Sequence, residues 1–300
     1  MTIAWVFPGQ GSQKLGMADS LNSLAGAKER FQYASNLIGR DLFSICTKSD
    51  NSVSKSSGHD LNDTRNTQPA LFIVESLLID QLKKQGRQPS LLAGHSLGEI
   101  VALYAAEVFD WEVALNLLHS RSELMASSKI GGMTAVLGFD RAQLEELVAS
   151  NEGVVIANDN SAGQVVLSGE VEALKAITSE LICKRAIPLA VSGAFHSPFM
   201  QGASTAFAKE LDKIHFKKAI VPVISNSDPS PTCDQTLLKD RLKQQMTTGV
   251  RWRETMNIFS QNGIKTLVEI GPGNVLSGLA KRTLSDVTIT QISTSSDLGM

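Results

Sequence analysis

Cysteine is scarce in this chain: three residues in 300, at positions 46, 183 and 233. An odd, scattered set makes no disulfide framework and points to a reducing compartment, for which the expectation is the cytoplasm. Long apolar runs are missing as well. None approaches the roughly eighteen residues that a membrane helix needs, so no membrane association is expected. The apolar start, Ile3–Phe7, has no basic lead and reads as a strand rather than a signal peptide. Charge of one sign is not in excess either, since 28 Lys and Arg stand against 30 Asp and Glu, and that balance excludes the basic footprint of a nucleic-acid binder. Neither an internal repeat nor a low-complexity tract is visible. With no obvious exposed apolar stripe, a monomer is expected. Histidine is rare, with five residues, so the search for a titrating base is short.

What is present reads as alternating strands and helices. Apolar runs at 3–7, 91–94, 221–225, 266–270 and 288–292 read as strands. Helical patterns cover 19–45, 68–84 with Pro69 in the first turn, 100–106, 111–125, 198–214, 237–246, 252–261 and 275–284. Residues 48–66 are polar and read as a surface loop. Alternation of this kind implies a mostly parallel sheet covered by helices on both faces. Between residues 129 and 192 the order changes. Strands at 131–138, 154–157, 164–168 and 186–189 are interleaved with helices at 140–150, capped by Asp140, and 171–183, with a turn at 158–161. The order β-α-β-β-α-β is ferredoxin-like. The expectation is an α/β protein: a hydrolase-like large domain from residues 1–128 and 193–300, with a small ferredoxin-like α+β subdomain, 129–192, inserted in it.

The chemistry centres on Leu91-Leu92-Ala93-Gly94-His95-Ser96-Leu97-Gly98-Glu99-Ile100. A buried strand, a tight turn with a central Ser, then a helix make a nucleophile elbow. The flanking glycines let backbone pass close to Ser96, and the helix N-terminus aims its N–H groups at any charge formed there. The ordinary alternative is a capping Ser. Pro8-Gly9-Gln10-Gly11-Ser12-Gln13 is Gly-rich but lacks the ending of a phosphate loop, so it reads as a turn that brings groups to a site. A Ser nucleophile needs a base. His95 adjoins Ser96 and should point away; His59, His119 and His215 read as ordinary polar residues; His196, in Gly193-Ala194-Phe195-His196-Ser197, lies where the chain recrosses between domains and is the candidate. No third carboxylate is evident, because Glu269 falls within a strand. A backbone carbonyl orients an imidazole equally well. Arg121 on its helix is either a solvated arginine or, if it faces the elbow, a fork-shaped receptor for a substrate carboxylate.

Six motifs in order, Pro8–Gln13, Thr67-Gln68-Pro69-Ala70-Leu71, Gly94–Glu99, Arg121, Gly193–Ser197 and Glu269-Ile270-Gly271-Pro272-Gly273, resemble those of malonyl-CoA:acyl-carrier-protein transacylases, including the free-standing acyltransferases that serve polyketide synthases. The resemblance spans nearly the whole chain. It implies malonyl transfer from malonyl-CoA to the phosphopantetheine thiol of an acyl carrier protein through an acyl-Ser96 intermediate, with no metal or other cofactor. It implies His196 as base, oriented by a backbone carbonyl near Arg251, and N–H groups of Leu97 and Gln10 as oxyanion hole. Arg121 would pair with the malonyl carboxylate, Gln68 and Met125 would line the pocket, and His95 and Asn160 would support it. Phe195 after Ala194 resembles the malonyl-selective form of its loop. Lys184, Arg185, Lys281 and Arg282 match positions near the cleft mouth and are expected to dock the acidic carrier. Ala162 and Gly249 depart from the family in standing where Pro is usual. Two competing readings keep the fold. One is an acyl hydrolase that clears carriers, disfavoured by Arg121; the other is a non-catalytic docking module, disfavoured by the retention of both Ser96 and His196.

Overall fold

A computed structural model describes residues 2–47 and 60–299. Its strands are β1 (Ile3–Phe7), β2 (Leu91–Gly94), β3 (Gly132–Phe139), β4 (Val154–Ser161), β5 (Gln164–Gly169), β6 (Cys183–Pro188), β7 (Val223–Ile224), β8 (Thr266–Ile270) and β9 (Thr288–Ile292). The helices are α1 (Ala27–Ile38), α2 (Leu42–Cys46), α3 (Thr64–Lys84), α4 (Gly98–Ala105), α5 (Trp111–Ser127), α6 (Arg141–Ala149), α7 (Val171–Glu180), α8 (Gln201–Lys213), α9 (Gln235–Gln244), α10 (Trp252–Gln261) and α11 (Val275–Thr283).

Two sheets organise them. The first has the order β7-β2-β1-β8-β9, and every pairing in it is parallel. Residues on its strands alternate between two apolar clusters: Trp5, Phe7 and Leu92 point into one, Ala4, Val6, Leu91 and Ala93 into the other. Both faces are therefore buried, which is why these strands read as unbroken apolar runs. The chain moves outward from β1 to β2 and β7, then returns to the other side of β1 for β8 and β9. A crevice opens at the carboxyl ends of strands where the order reverses.

The second sheet is antiparallel, with the order β4-β5-β3-β6. Val165 and Leu167 turn toward α6 and α7, in a cluster with Leu144, Leu174 and Ile177. Val166, Met133 and Ala157 turn the other way and join the main core. One face of this sheet thus lies against the first layer. At that junction Val250 lies parallel to β4, donating to Ala157 O (2.7 Å) and accepting from Asp159 N–H (2.9 Å). Asp159 also receives Arg253 Nε at 2.9 Å and Arg141 Nη2 at 2.9 Å. Gly249 owes its identity to this approach: a Cβ there would stand 2.8 Å from the Ile156 carbonyl oxygen. Ala162 is in the exposed turn joining β4 to β5.

Local details correct three expectations. The single helix expected over 19–45 is broken into a 3-10 turn at Asp19–Leu21, α1 and α2. Gly39, at φ +68°, ends α1, and Asp41 caps α2 by accepting from Ser44 N–H, the usual stop and start devices. Helix α3 begins at Thr64, where Asp63 caps it, so Pro69 sits inside the helix instead of in its first turn; residues 63–66 are helix cap and first turn, while 60–62 form a turn as expected. Strand β4 continues through the expected turn at 158–161, absorbing it as register shifts against β5. The rest of the expected loop, 48–59 with His59, lies outside the described residues. Among the described residues no helix is long and apolar enough to cross a membrane.

Candidate active site

The elbow forms because three backbones pass within contact of one another. A Cβ on Gly94 would fall 1.8 Å from the Gly98 carbonyl oxygen, and one on Gly98 would fall 2.2 Å from the Phe7 carbonyl oxygen. Only glycine fits at either end. Between them Ser96 takes φ +55°, a left-handed conformation that costs a non-glycine residue about 1–3 kcal/mol. Two side-chain amides hold it there. Asn226 Oδ1 accepts the Ser96 N–H at 2.7 Å, and Gln245 Nε2 donates to the Ser96 carbonyl at 2.9 Å.

His196 reaches the same point from the recrossing segment. Gly193 passes the Ser128 carbonyl so closely that a Cβ would lie 2.8 Å from its oxygen, and Ala194 N–H donates to Ile130 O at 2.9 Å. The outgoing and returning strands of chain are thus tied together, and His196 follows with φ +56°. Its Nε2 lies 2.8 Å from Ser96 Oγ, and its Nδ1 lies 2.9 Å from the main-chain oxygen of Gln245. The orienting carbonyl is therefore that of Gln245, not Arg251. The Arg251 carbonyl is instead engaged by Thr255 N–H at 3.1 Å, starting α10. Burial, reinforced by the Arg121 guanidinium, pushes the His196 pKa down to about 3. The imidazole is thus held neutral and able to accept a proton, with Nδ1–H assigned by its carbonyl acceptor.

Arg121 is 1% exposed. It donates to Gln68 Oε1 (2.8 Å), Gln245 Oε1 (2.8 Å) and Ser96 Oγ (3.0 Å). All three acceptors are neutral. Burial lowers its pKa to about 10, partly countered by the charge of nearby Glu99, so the guanidinium remains a cation. A buried cation on neutral acceptors favours an anionic ligand. Gln68 is itself held by Thr64 Oγ1 at 2.8 Å and touches Met125 Sδ at 3.4 Å, and Thr64 in turn donates to Gln10 Oε1 at 2.8 Å.

The remaining expected residues divide into those near Ser96 and those elsewhere. A cavity of about 90 Å³ is lined by Gln10, Gln68, His95, Ser96, Leu97, Arg121, Met125, Phe195 and His196, with Met133, Asn158, Leu189 and Val191 added from the second sheet and its exit. The main-chain N–H groups of Gln10 and Leu97 have no hydrogen-bond partner among the described residues. His95 lines the cavity, and its hydrogen bond goes to Asn160. The His95 Nε2 meets Asn160 Oδ1 at 2.8 Å, and burial lowers the His95 pKa. Asn160 therefore supports the pocket from behind His95 and does not line it. Lys184 and Arg282 line a separate groove of about 730 Å³ together with Arg253 and the 161–164 turn. Arg185 and Lys281 are exposed but lie outside that lining. His119 is half-buried on α5 and His215 is exposed, both away from the cavity. Glu269 accepts Leu276 N–H (3.0 Å) and Ser277 N–H (2.7 Å), so it caps α11. No group of three or more potential metal ligands occurs among the described residues.

Gln245 and Asn226 were not singled out from sequence, and Glu99 stood there only as the end of the Gly94–Glu99 motif, with no role. Asn226 lies two residues past the end of β7, and polar residues at the carboxyl end of a parallel strand carry a positional signal. Gln245, just past the end of α9, gives none.

Comparison with known proteins agrees with this geometry. The family model described as acyl transferase domain matches residues 4–297. The malonyl CoA-acyl carrier protein transacylase of Synechocystis sp. is 48% identical over 298 residues, covering 99% of each chain. The crystal structure of the Synechocystis malonyl-CoA:ACP transacylase superposes with a TM-score of 0.94, covering 100% of this chain and 99% of that one. The polyketide biosynthesis malonyl CoA-acyl carrier protein transacylase PksC of Bacillus subtilis is 36% identical, covering 95% of this chain and 98% of its own. With a continuous match to the family and full-length likeness in sequence and structure, this chain belongs to the acyl transferase domain family.

Proposed function

We propose that this protein transfers a malonyl group from malonyl-CoA to the phosphopantetheine thiol of an acyl carrier protein, by a ping-pong route through malonyl-Ser96, for fatty-acid or polyketide synthesis. The observation that carries the reading is the pair of contacts at one hydroxyl: His196 Nε2 at 2.8 Å and Arg121 Nη2 at 3.0 Å. A base beside a serine supports acyl transfer. A buried cation beside the same serine supports an acyl group that ends in a carboxylate.

In the first half-reaction Ser96 Oγ attacks the thioester carbonyl while His196 Nε2 takes the hydroxyl proton. The tetrahedral oxyanion forms against the N–H groups of Leu97 and Gln10. The carbon–sulfur bond breaks, and His196 returns the proton to the CoA sulfur. In the second half-reaction the carrier's thiol gives its proton to His196 and attacks the Ser96 ester, and the serine oxygen regains a proton. The malonyl carboxylate replaces Ser96 Oγ as the partner of Arg121 Nη2, which frees the nucleophile as substrate binds. The small cavity suits a short acyl group, with Phe195 and Met125 closing its apolar side. Carrier docking fits the groove that holds Lys184 and Arg282, since a basic groove complements an acidic partner. Three free cysteines support a reducing, cytoplasmic setting.

Two-substrate steady-state kinetics test the reading. Varying malonyl-CoA at several fixed holo-carrier concentrations should give parallel double-reciprocal lines, with malonyl-carrier as product. Release of free malonate with no dependence on carrier would replace transfer by hydrolysis.

A further inference from the structure

Glu99 lies in the first turn of α4, three residues after Ser96, and is fully buried. Its Oε2 accepts two hydrogen bonds, from Asn226 N–H at 3.0 Å and from Gln245 Nε2 at 2.7 Å. Those two residues hold the rest of the site. The Asn226 side chain accepts Ser96 N–H and donates to the Gly94 carbonyl at 2.6 Å. The Gln245 side chain donates to the Ser96 carbonyl and accepts Arg121 Nη2, while its main-chain oxygen receives His196 Nδ1.

A carboxamide has a donor end and an acceptor end, and nothing in its shape prevents it from turning over. Which end of Gln245 faces Arg121 decides whether the guanidinium meets an acceptor or another donor. A carboxylate can only accept. With its Oε2 against Gln245, Glu99 admits the NH₂ end and leaves Oε1 for Arg121. The same Oε2 fixes the Asn226 main chain, whose side chain clamps the strained serine.

We propose that Glu99 is a positioning residue. Through Gln245 and Asn226 it sets the orientation of the Arg121 receptor and holds Ser96 in its left-handed conformation, touching none of the reacting atoms itself. The inference rests on the malonyl-transfer reading.

Rapid-quench acylation by malonyl-CoA, read by intact mass, tests it on Glu99→Gln, Glu99→Leu, Gln245→Leu and the Glu99→Leu/Gln245→Leu double variant, with circular dichroism as a check of folding. The Asn226 main-chain N–H is a donor that cannot turn over and selects the oxygen end of a Gln at this position, so the acylation rate of Glu99→Gln should stay within about threefold of wild type. Leu offers no oxygen, and losing the clamp should slow acylation roughly 100-fold, the effect of a small misplacement at a reacting centre. Because Glu99 acts on Arg121 through Gln245 and on Ser96 partly through it, the combined loss in the double variant should fall well short of the product of the two single losses. Losses that multiply, a folded Glu99→Leu variant that acylates like wild type, or a folded Glu99→Gln variant as slow as Glu99→Leu would each overturn the assignment. If Glu99→Leu does not fold, the Glu99→Gln rate decides: it must stay near wild type. A wild-type protein that takes up no malonyl group would be a failure of the functional reading, distinct from any of these.

Discussion

At the scale of single residues, the site depends on two ionisable groups whose pKa values burial lowers. The His196 pKa is pushed down to about 3, first by loss of water and then by Arg121. A base that stays neutral does not switch off at the ordinary histidine value. The pH profile of malonyl-CoA acylation should therefore run level through pH 6.5 and fall only well below it; an inflection near 6.5 would contradict this. Arg121 carries the preference for a charged acyl group. Arg121→Ala should reduce malonyl acylation by about 1.5–3 kcal/mol, a factor of roughly 10 to 150, the worth of a hydrogen bond to a charged group. It should spare or improve acetyl transfer, as competing acyl-CoA assays would show. Glu75 tests burial without function. It is 0% exposed, and neither oxygen has a hydrogen-bond partner among the described residues. Burial, with Glu269 nearby, raises its pKa well above the ordinary value of 4.5. The neutral form is thus the one the fold favours: its contribution is fully present below pH 4.5 and is lost as pH rises through the folded value. Glu75→Gln should leave melting unchanged near pH 4 and stabilise the protein at pH 8, where wild type must take up a proton on folding and the variant need not. An equal shift at both pH values would contradict that assignment.

At the scale of elements, glycines decide where backbones cross, and they do so unequally. Gly98 faces the Phe7 carbonyl, so Gly98→Ala must push α4 away from β1. That overpacking should cost about 1–3 kcal/mol and slow acylation as Ser96 is displaced. Gly202 in α8 meets nothing within 4 Å, so Gly202→Ala should instead gain roughly 0.5–1 kcal/mol of helix propensity. Thermal melts of the two variants should move in opposite directions, and a common direction would argue against the crossing geometry. These elements also show what the sequence could reveal. The strands of the first sheet were legible because both faces are buried and their apolar runs are unbroken. The elbow was legible because Gly94 and Gly98 are fixed by local steric need, and Ser96 and His196 because few residues could play their parts. The break at Gly39 and the early start of α3 were not, since caps and polar loops share a composition. Nor was the replacement of Arg251 by Gln245. A carbonyl's partner is set by where a distant segment lies, and local spacing carries no trace of the Val250 pairing that puts it there.

At the scale of the whole molecule, the two sheets meet along β4, and both the cavity and the basic groove lie on that seam. Asn158 lines one and Ser161 lines the other. Reversal of Lys184 and Arg282 to Glu should raise KM for the carrier and leave acylation by malonyl-CoA unchanged; equal carrier kinetics would remove the groove from the docking account. The central claim is that a hydroxyl held between an imidazole and a guanidinium takes up a malonyl group and passes it on. The most direct measurement is intact mass and peptide mapping after mixing with malonyl-CoA, followed by addition of holo-carrier. The account predicts one malonyl adduct on Ser96, absent from Ser96→Ala, that persists in buffer and moves to the carrier's thiol when the carrier is added. No adduct, an adduct on another residue, or one that buffer discharges as fast as the carrier does would contradict it.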